Sequence, residues 1–144
     1  MTRRMKAIRL VGVALLALMY PGVAAAQATL PDAAEGARRA WLAHDPQALA
    51  GPSSSLVLQI PGADPSSPLG RAQAMELLRR YFRVAEERGL DITALREVEP
   101  GKGFVELTRR YVVAGTSELR HETLFLGFRL VNGEWRLVEL RSAP

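Results

Sequence analysis

The sequence predicts an exported α+β domain in which two amphipathic helices and a strand precede an antiparallel meander of four strands. Three observations carry that expectation. A basic stretch, an apolar run and a small-residue site open the chain in the order of a secretory leader. Apolar residues then recur at helical spacing as far as Arg88, and after Leu90 the period changes to two.

The leader comes first. Arg3, Arg4, Lys6 and Arg9 precede the apolar run Leu10 to Met19, and Tyr20-Pro21-Gly22 and Ala24-Ala25-Ala26 follow it. The run is about half of the ~20 residues a spanning helix needs, so no stable membrane anchor is expected after cleavage. Ala26 and Ala28 both suit signal peptidase, and residues 1–26 are assigned as signal peptide with 27–144 as one domain. Periplasmic or secreted localisation follows. There is no cysteine, which excludes disulfides, thiolate metal sites and a lipid-modified cysteine.

Charge sharpens the reading. The four basic residues of the leader account for the whole net charge of +4, and the remainder carries fifteen residues of each sign. A domain balanced in this way has no electrostatic footprint for nucleic acid or an anionic membrane.

Pro31 to His44 places Ala34, Ala37, Trp41 and His44 on one face, so a helix anchored by Trp41 is expected, ended by Asp45-Pro46. Gln47 to Ala50 adds a short turn before Gly51-Pro52, and Ser55 to Ile60 reads as a strand closed by Pro61-Gly62. Ser67 is the expected N-cap of the next helix, with Pro68 at its first position. From Arg71 to Arg88, Ala74, Met75, Leu78, Tyr81, Phe82 and Ala85 share one face; Arg79, Arg83, Glu86 and Glu87 take the other, and Gly89 is the expected stop. Four strands follow, Asp91 to Val98, Gly103 to Val113, Glu118 to Val131 and Glu134 to Arg141, with turns at Pro100-Gly101, Gly115-Thr116 and Asn132-Gly133.

A two-residue turn at Gly115-Thr116 sets Val105 opposite Leu126, Leu107 opposite Leu124, Arg109 opposite Glu122 and Tyr111 opposite Arg120. The Asn132-Gly133 turn sets Phe128 opposite Leu137, Leu130 opposite Trp135 and Glu139 opposite Leu126. One face therefore runs from apolar to charged. The other carries Phe104, Val112, Leu119, Phe125, Val138 and Leu140, and a sheet apolar on both faces needs a second cover, such as a partner subunit or curvature. A homodimer is the simplest expectation.

The element order, with His44-Asp45-Pro46-Gln47-Ala48-Leu49 after the first helix and Gly133-Glu134-Trp135-Arg136-Leu137-Val138 near the end, resembles the nuclear transport factor 2-like (cystatin-like cone) superfamily. The leader, Leu56-Val57-Leu58-Gln59-Ile60-Pro61 and Arg71-Ala72-Gln73-Ala74 are similar to an exported bacterial family known as a domain of unknown function of the 4783 type. The resemblance implies a cone, a curved antiparallel sheet wrapped around a long helix, often dimeric through the outer sheet face. Ketosteroid isomerases and polyketide cyclases of that superfamily use acids or histidines inside the cone; other relatives are non-catalytic, and fold alone does not choose.

Candidate ligand-binding residues are Arg109, Tyr111, Glu122 and Glu139 where the apolar floor turns polar, with Tyr81 and Trp41 lining the cone if it is hollow. Against this stands a plain cross-strand ion pair on a solvated sheet end. Glu122 or Glu139 in an apolar pocket would suit proton-shuttling chemistry, but no oxyanion partner is assignable, and Arg109 would favour the charged carboxylate. His44 and His121 are too isolated to suggest a metal; His44 reads as a solvated or dipole-contacting helix end. No Gly-x-Ser-x-Gly elbow surrounds the serines, Gly101-Lys102-Gly103 is a turn, and no cofactor is implied. The leading expectation is a non-catalytic domain binding a small apolar ligand or an envelope protein. Its alternatives are an isomerase- or cyclase-like enzyme acting on a hydrophobic substrate, and a structural dimer whose cone is filled by Trp41, Tyr81, Phe82 and Phe128.

Overall fold

The computed structural model describes residues 29–63 and 67–144; the signal peptide assignment lies outside them. Helix α1 (Leu30–Leu42) starts at Thr29, whose hydroxyl accepts from the Asp32 N–H while the Asp32 carboxylate accepts from the Thr29 N–H. These reciprocal bonds satisfy orphan donors of the first turn and hold the Asp32 carboxyl below its usual range. The helix ends in a Schellman motif: His44 N–H bonds Trp41 O at 2.8 Å and Asp45 N–H bonds Ala40 O at 2.9 Å. His44 occupies the left-handed position usually given to glycine, with φ of 52°. Asp45 then caps α2 (Pro46–Ala50) by accepting from Ala48 N–H at 3.0 Å.

Six strands form one sheet in the order β2-β1-β6-β5-β4-β3: β1 (Ser55–Gln59), β2 (Leu69–Gly70), β3 (Ala85–Glu99), β4 (Lys102–Val113), β5 (Leu119–Val131) and β6 (Glu134–Ala143). The meander is antiparallel as expected, but β1 joins β6 in parallel, so the curved, unclosed sheet is mixed. Helices α1 and α3 (Arg71–Arg83) cover one face, where Leu56, Leu58, Val105, Leu107, Leu124, Leu126 and Leu140 are buried. Each helix has 13 residues. Removing any one of these leucines would cost about 2–5 kcal/mol in lost transfer and cavity formation.

Three expectations are corrected. Ser67 does not cap α3: the N-cap is Gly70, and Leu69-Gly70 pair with β1 as a short strand first. Helix α3 stops at Arg83 and β3 begins at Ala85, where Ala85, Glu86 and Glu87 pair with Val113, Val112 and Tyr111. Gly89 is therefore a strand residue beside a bulge, where the Arg110 guanidinium packs so close that a Cβ would lie 2.5 Å from Nη2. Finally, a bulge between Gly127 and Phe128 sets Leu140 opposite Leu126 and Glu139 opposite Gly127. Side chains alternate across a strand, so one extra residue moves Leu140 into the core and Glu139 onto the outer face.

Candidate functional site

Arg109 is the centre of the polar interior. The β4–β5 register is the one read from the turn, with Arg109 opposite Glu122 and Tyr111 opposite Arg120. The pair is not a solvated sheet end: the side chains of Arg109, Glu87 and Glu122 are only 1%, 6% and 10% exposed. Arg109 Nε and Nη2 donate to Glu87, at 3.0 Å to Oε2 and 2.5 Å to Oε1, which is the side-on fork a planar guanidinium makes with a carboxylate. Nη1 donates to Glu122 Oε2 at 2.6 Å and to the Tyr81 hydroxyl at 3.0 Å, and that hydroxyl donates to Glu122 Oε1. Burial disfavours the guanidinium's charge, but the hydrogen bonds and charge of Glu87, with Tyr81 and Glu122, outweigh it and push the Arg109 pKa up. Burial, then the bond to Glu122, pushes the Tyr81 phenol well above its ordinary value.

Three aromatic rings complete the enclosure. The guanidinium carbon lies 4.0 Å from the Tyr111 ring centroid, 5.0 Å from Trp41 and 5.1 Å from Tyr81. Trp41 packs edge-on against Phe82 at 4.9 Å and against Tyr81 at 5.9 Å. The cone interior at this level is thus filled by a cation of the chain itself, held in a box of rings and carboxylates.

Two members of the cluster escape a reading of the sequence. Glu87, expected on a solvated helix face, is brought inward because its segment is strand, not helix. His44, expected as a solvated end group, stacks on Phe82 with ring centroids 4.9 Å apart and brings Nε2 to 3.1 Å from Glu87 Oε1. Of the residues the sequence singled out, Arg109, Tyr111, Glu122, Tyr81 and Trp41 converge. Glu139 does not: it pairs with Arg141 on the outer face.

Glu122 and Tyr111 also reach an open pocket of about 430 Å³ at the mouth of the cone. Ile60, Pro61 and Pro144 form its apolar wall. Gln59, Arg120 and Ser142 add polar groups, with His121 at the rim. Among the described residues, no group of three or more His, Cys, Asp or Glu is arranged to hold a metal ion.

No family model matches the chain, and no curated protein sequence matches it. Solved structures do. A ketosteroid isomerase-like protein from Erwinia carotovora atroseptica superposes with a TM-score of 0.66 at 17% identity, covering 82% of this chain and 97% of that one. The fold is the nuclear transport factor 2-like cone. A DUF4783 family protein from Bacteroides ovatus shares it at TM-score 0.59 and 14% identity, over 74% of this chain and 90% of that one. A protein of the NTF2-like family from Streptomyces avermitilis shares it at 0.57 and 16%, over 78% and 90%. Such identities place the cone fold alone, and the chemistry has to come from the side chains.

Proposed function

We propose that this cone-fold protein is an exported, non-catalytic binding domain that takes a small, largely apolar ligand in the mouth pocket and works as a homodimer. The observation that carries the reading is the division of the cone. Its interior is filled by Trp41, Phe82 and the Arg109 cluster, whereas the mouth keeps an open pocket whose floor is made rigid by that cluster. Pockets of this size with an apolar wall and a few fixed polar groups are the usual form of a small-molecule site.

Proton-shuttling chemistry has weaker support. A general base needs a carboxylate oxygen turned to the substrate, and both oxygens of Glu122 are engaged, one by Tyr81 and one by Arg109. Glu139, the other candidate base, lies outside the cone.

The dimer reading rests on the outer sheet face. Phe104 and Phe125 stack there with centroids 6.0 Å apart, Arg96 lies over Phe104, and Val98 is exposed beside them. Charges of both signs, such as Arg129 and Glu139, border the rings, which suits a two-fold contact of the face with itself.

Native mass spectrometry of the protein purified gently from its own envelope tests both parts. A dimer carrying extra mass is expected. A bare protein at every step of declustering would overturn the ligand reading, and a monomer at micromolar concentration would overturn the dimer.

A further inference from the structure

The cations of the sheet are not equally provided for. Arg88, Arg120 and Arg141 each pair with a glutamate two residues away along the chain. Arg109 is enclosed by Glu87 and Glu122, Arg96 lies over the Phe104 ring, and Arg110 packs against Gly89. Lys102, Arg129 and Arg136 are the exceptions. They form one row across three neighbouring strands, Lys102 opposite Arg129 and Arg129 opposite Arg136. Strands lie about 4.8 Å apart, so the three residues share a span of about 10 Å. Like charges directly opposite each other destabilise a ladder, and here two such pairs run in succession.

Among the described residues little offsets that repulsion. Neither Lys102 nor Arg129 has a carboxylate within ion-pairing distance; Gly127 and Val131 flank Arg129 where Arg120 and Arg141 have a glutamate. Glu99 is opposite Lys102 without pairing with it, and Glu139, in the groove beside Lys102 and Arg129, is held by Arg141. Arg136 is hardly better served. Its Nε is buried with no hydrogen-bond partner, and Glu134, 60% exposed, comes only to 3.6 Å from Nη2.

Beside the row is a groove of about 160 Å³, several times the about 30 Å³ of one water. Arg129, Arg136, Val131 and Val138 line it from the β5–β6 hairpin, and Ser53, Ser54 and Ser55 line it from the start of β1. No carboxylate is among its lining residues. Two backbone acceptors of the serine edge are already taken: the Ser53 carbonyl by Arg71 Nη1 at 3.1 Å and the Ser54 carbonyl by the Arg71 N–H at 3.0 Å. The Ser53 hydroxyl donates to Leu137 O, which leaves the exposed Ser54 and Ser55 to offer hydroxyls to a ligand.

We propose that this groove is a site for a single phosphate group, held between the guanidiniums of Arg129 and Arg136, with Lys102 next in the row and the Ser54 and Ser55 hydroxyls opposite. Phosphate suits it better than a carboxylate, because three free oxygens can meet two arginines and a hydroxyl together, and a charge approaching two answers a row of three cations. The balanced charge of the domain beyond its leader provides no wider field for a polyanion. The site is on the outer sheet face and does not rest on the mouth-pocket reading.

The test is isothermal titration calorimetry at fixed ionic strength with inorganic phosphate, glycerol 3-phosphate and acetate, together with sedimentation on phosphatidylcholine vesicles with and without phosphatidic acid. Arg129→Gln and Arg136→Gln each remove one guanidinium from the row. Both relieve a facing like charge, so in chloride buffer Arg129→Gln should melt no lower than wild type. Phosphate or its ester should bind wild type about tenfold or more tightly than acetate, and either substitution should weaken that binding about tenfold. Sedimentation that requires phosphatidic acid and is competed by inorganic phosphate would identify a lipid headgroup as the source, and binding of the soluble ester alone a soluble phosphomonoester. No phosphate binding in any form, acetate bound as tightly as phosphate, or binding indifferent to both substitutions would overturn the site. So would a native mass spectrum in which Arg129→Gln turns a dimer into a monomer, because the row would then be answered by carboxylates of a second copy.

Discussion

Replacing Arg109 by methionine is the perturbation that isolates the cluster. Methionine keeps much of the volume and the unbranched shape, so the loss is one of charge and hydrogen bonds rather than packing. Arg109 serves two carboxylates and a phenol, and every charged partner is at most a tenth exposed. No discount for solvent screening therefore applies. Leaving Glu87 and Glu122 buried without their guanidinium, with only His44 and the Tyr81 hydroxyl beside them, should cost about 3–5 kcal/mol, the usual result of removing one partner from a buried ion pair. At a urea slope of about 1.5 kcal/mol per molar, the unfolding midpoint should fall by about 2–3 M, a large part of the stability of a domain this size. The triple variant Arg109→Met, Glu87→Gln, Glu122→Gln removes the stranded charges and should recover most of the loss. Equilibrium urea unfolding followed by tryptophan fluorescence reads both. An Arg109→Met protein within about 1 kcal/mol of wild type would refute the burial argument. A triple variant no better than the single one would show that lost packing, not uncompensated charge, sets the cost.

Tyr81 gives an alkaline signature. Its folded pKa is raised above the unfolded value, so its stabilisation is complete below about pH 10 and is lost as pH climbs from there toward the folded value. Unfolding free energies measured from pH 9 to 11.5 should therefore fall more steeply in wild type than in Tyr81→Phe, which should itself be about 1–3 kcal/mol less stable at pH 7. At His44, the left-handed backbone and the bond to Glu87 pull in opposite directions. His44→Gly should be about 1 kcal/mol more stable than His44→Ala in thermal unfolding, because only alanine keeps the backbone strain after the contact is gone. Two glycines should differ. A Cβ at Gly103 would lie 2.6 Å and 2.7 Å from the two methyls of buried Leu30, so Gly103→Ala should cost about 1–3 kcal/mol. At Gly89 the obstacle is the far end of Arg110, which can swing into solvent, and Gly89→Ala should cost less than half as much in the same assay.

The two hairpins made by the glycine turns were legible because a turn of fixed length sets the register of both arms as far as the first bulge. Arg109 facing Glu122, Tyr111 facing Arg120 and Phe128 facing Leu137 all follow from those turns. The junction of α3 and β3 was not legible. Ala85-Glu86-Glu87-Arg88 continues the helical period of α3 and consists of good helix formers, so local preference carries the helix on to Arg88 with a stop at Gly89. What decides otherwise is non-local: the last residues of β4 need a ladder partner, and Glu87 gains the Arg109 fork only from the strand. Counting back from Pro100-Gly101 would not have found Glu87 either. Three bulges in β3 shift the register by one residue each, and an unbroken ladder would set Leu90, not Glu87, opposite Tyr111. The bulge beside Gly127 is equally silent in the sequence, and it alone exchanges Glu139 for Leu140 inside the cone.

The position of Arg109 also bears on what this cone, of the fold shared with ketosteroid isomerase-like proteins, does with its inward-facing carboxylates. Burying a guanidinium in a cone demands acceptors, and the acceptors here are the two carboxylates that face it, Glu87 and Glu122. Each carboxylate so used is fixed by its partner and loses the freedom a proton shuttle needs. The same bonds hold Tyr111 and Glu122 still at the base of the mouth, because a planar fork tied at both ends and stacked on rings leaves the neighbouring strands little room to shift. On the proposed binding reading, a floor held in this way lets a ligand entering the mouth meet groups that need not be ordered first.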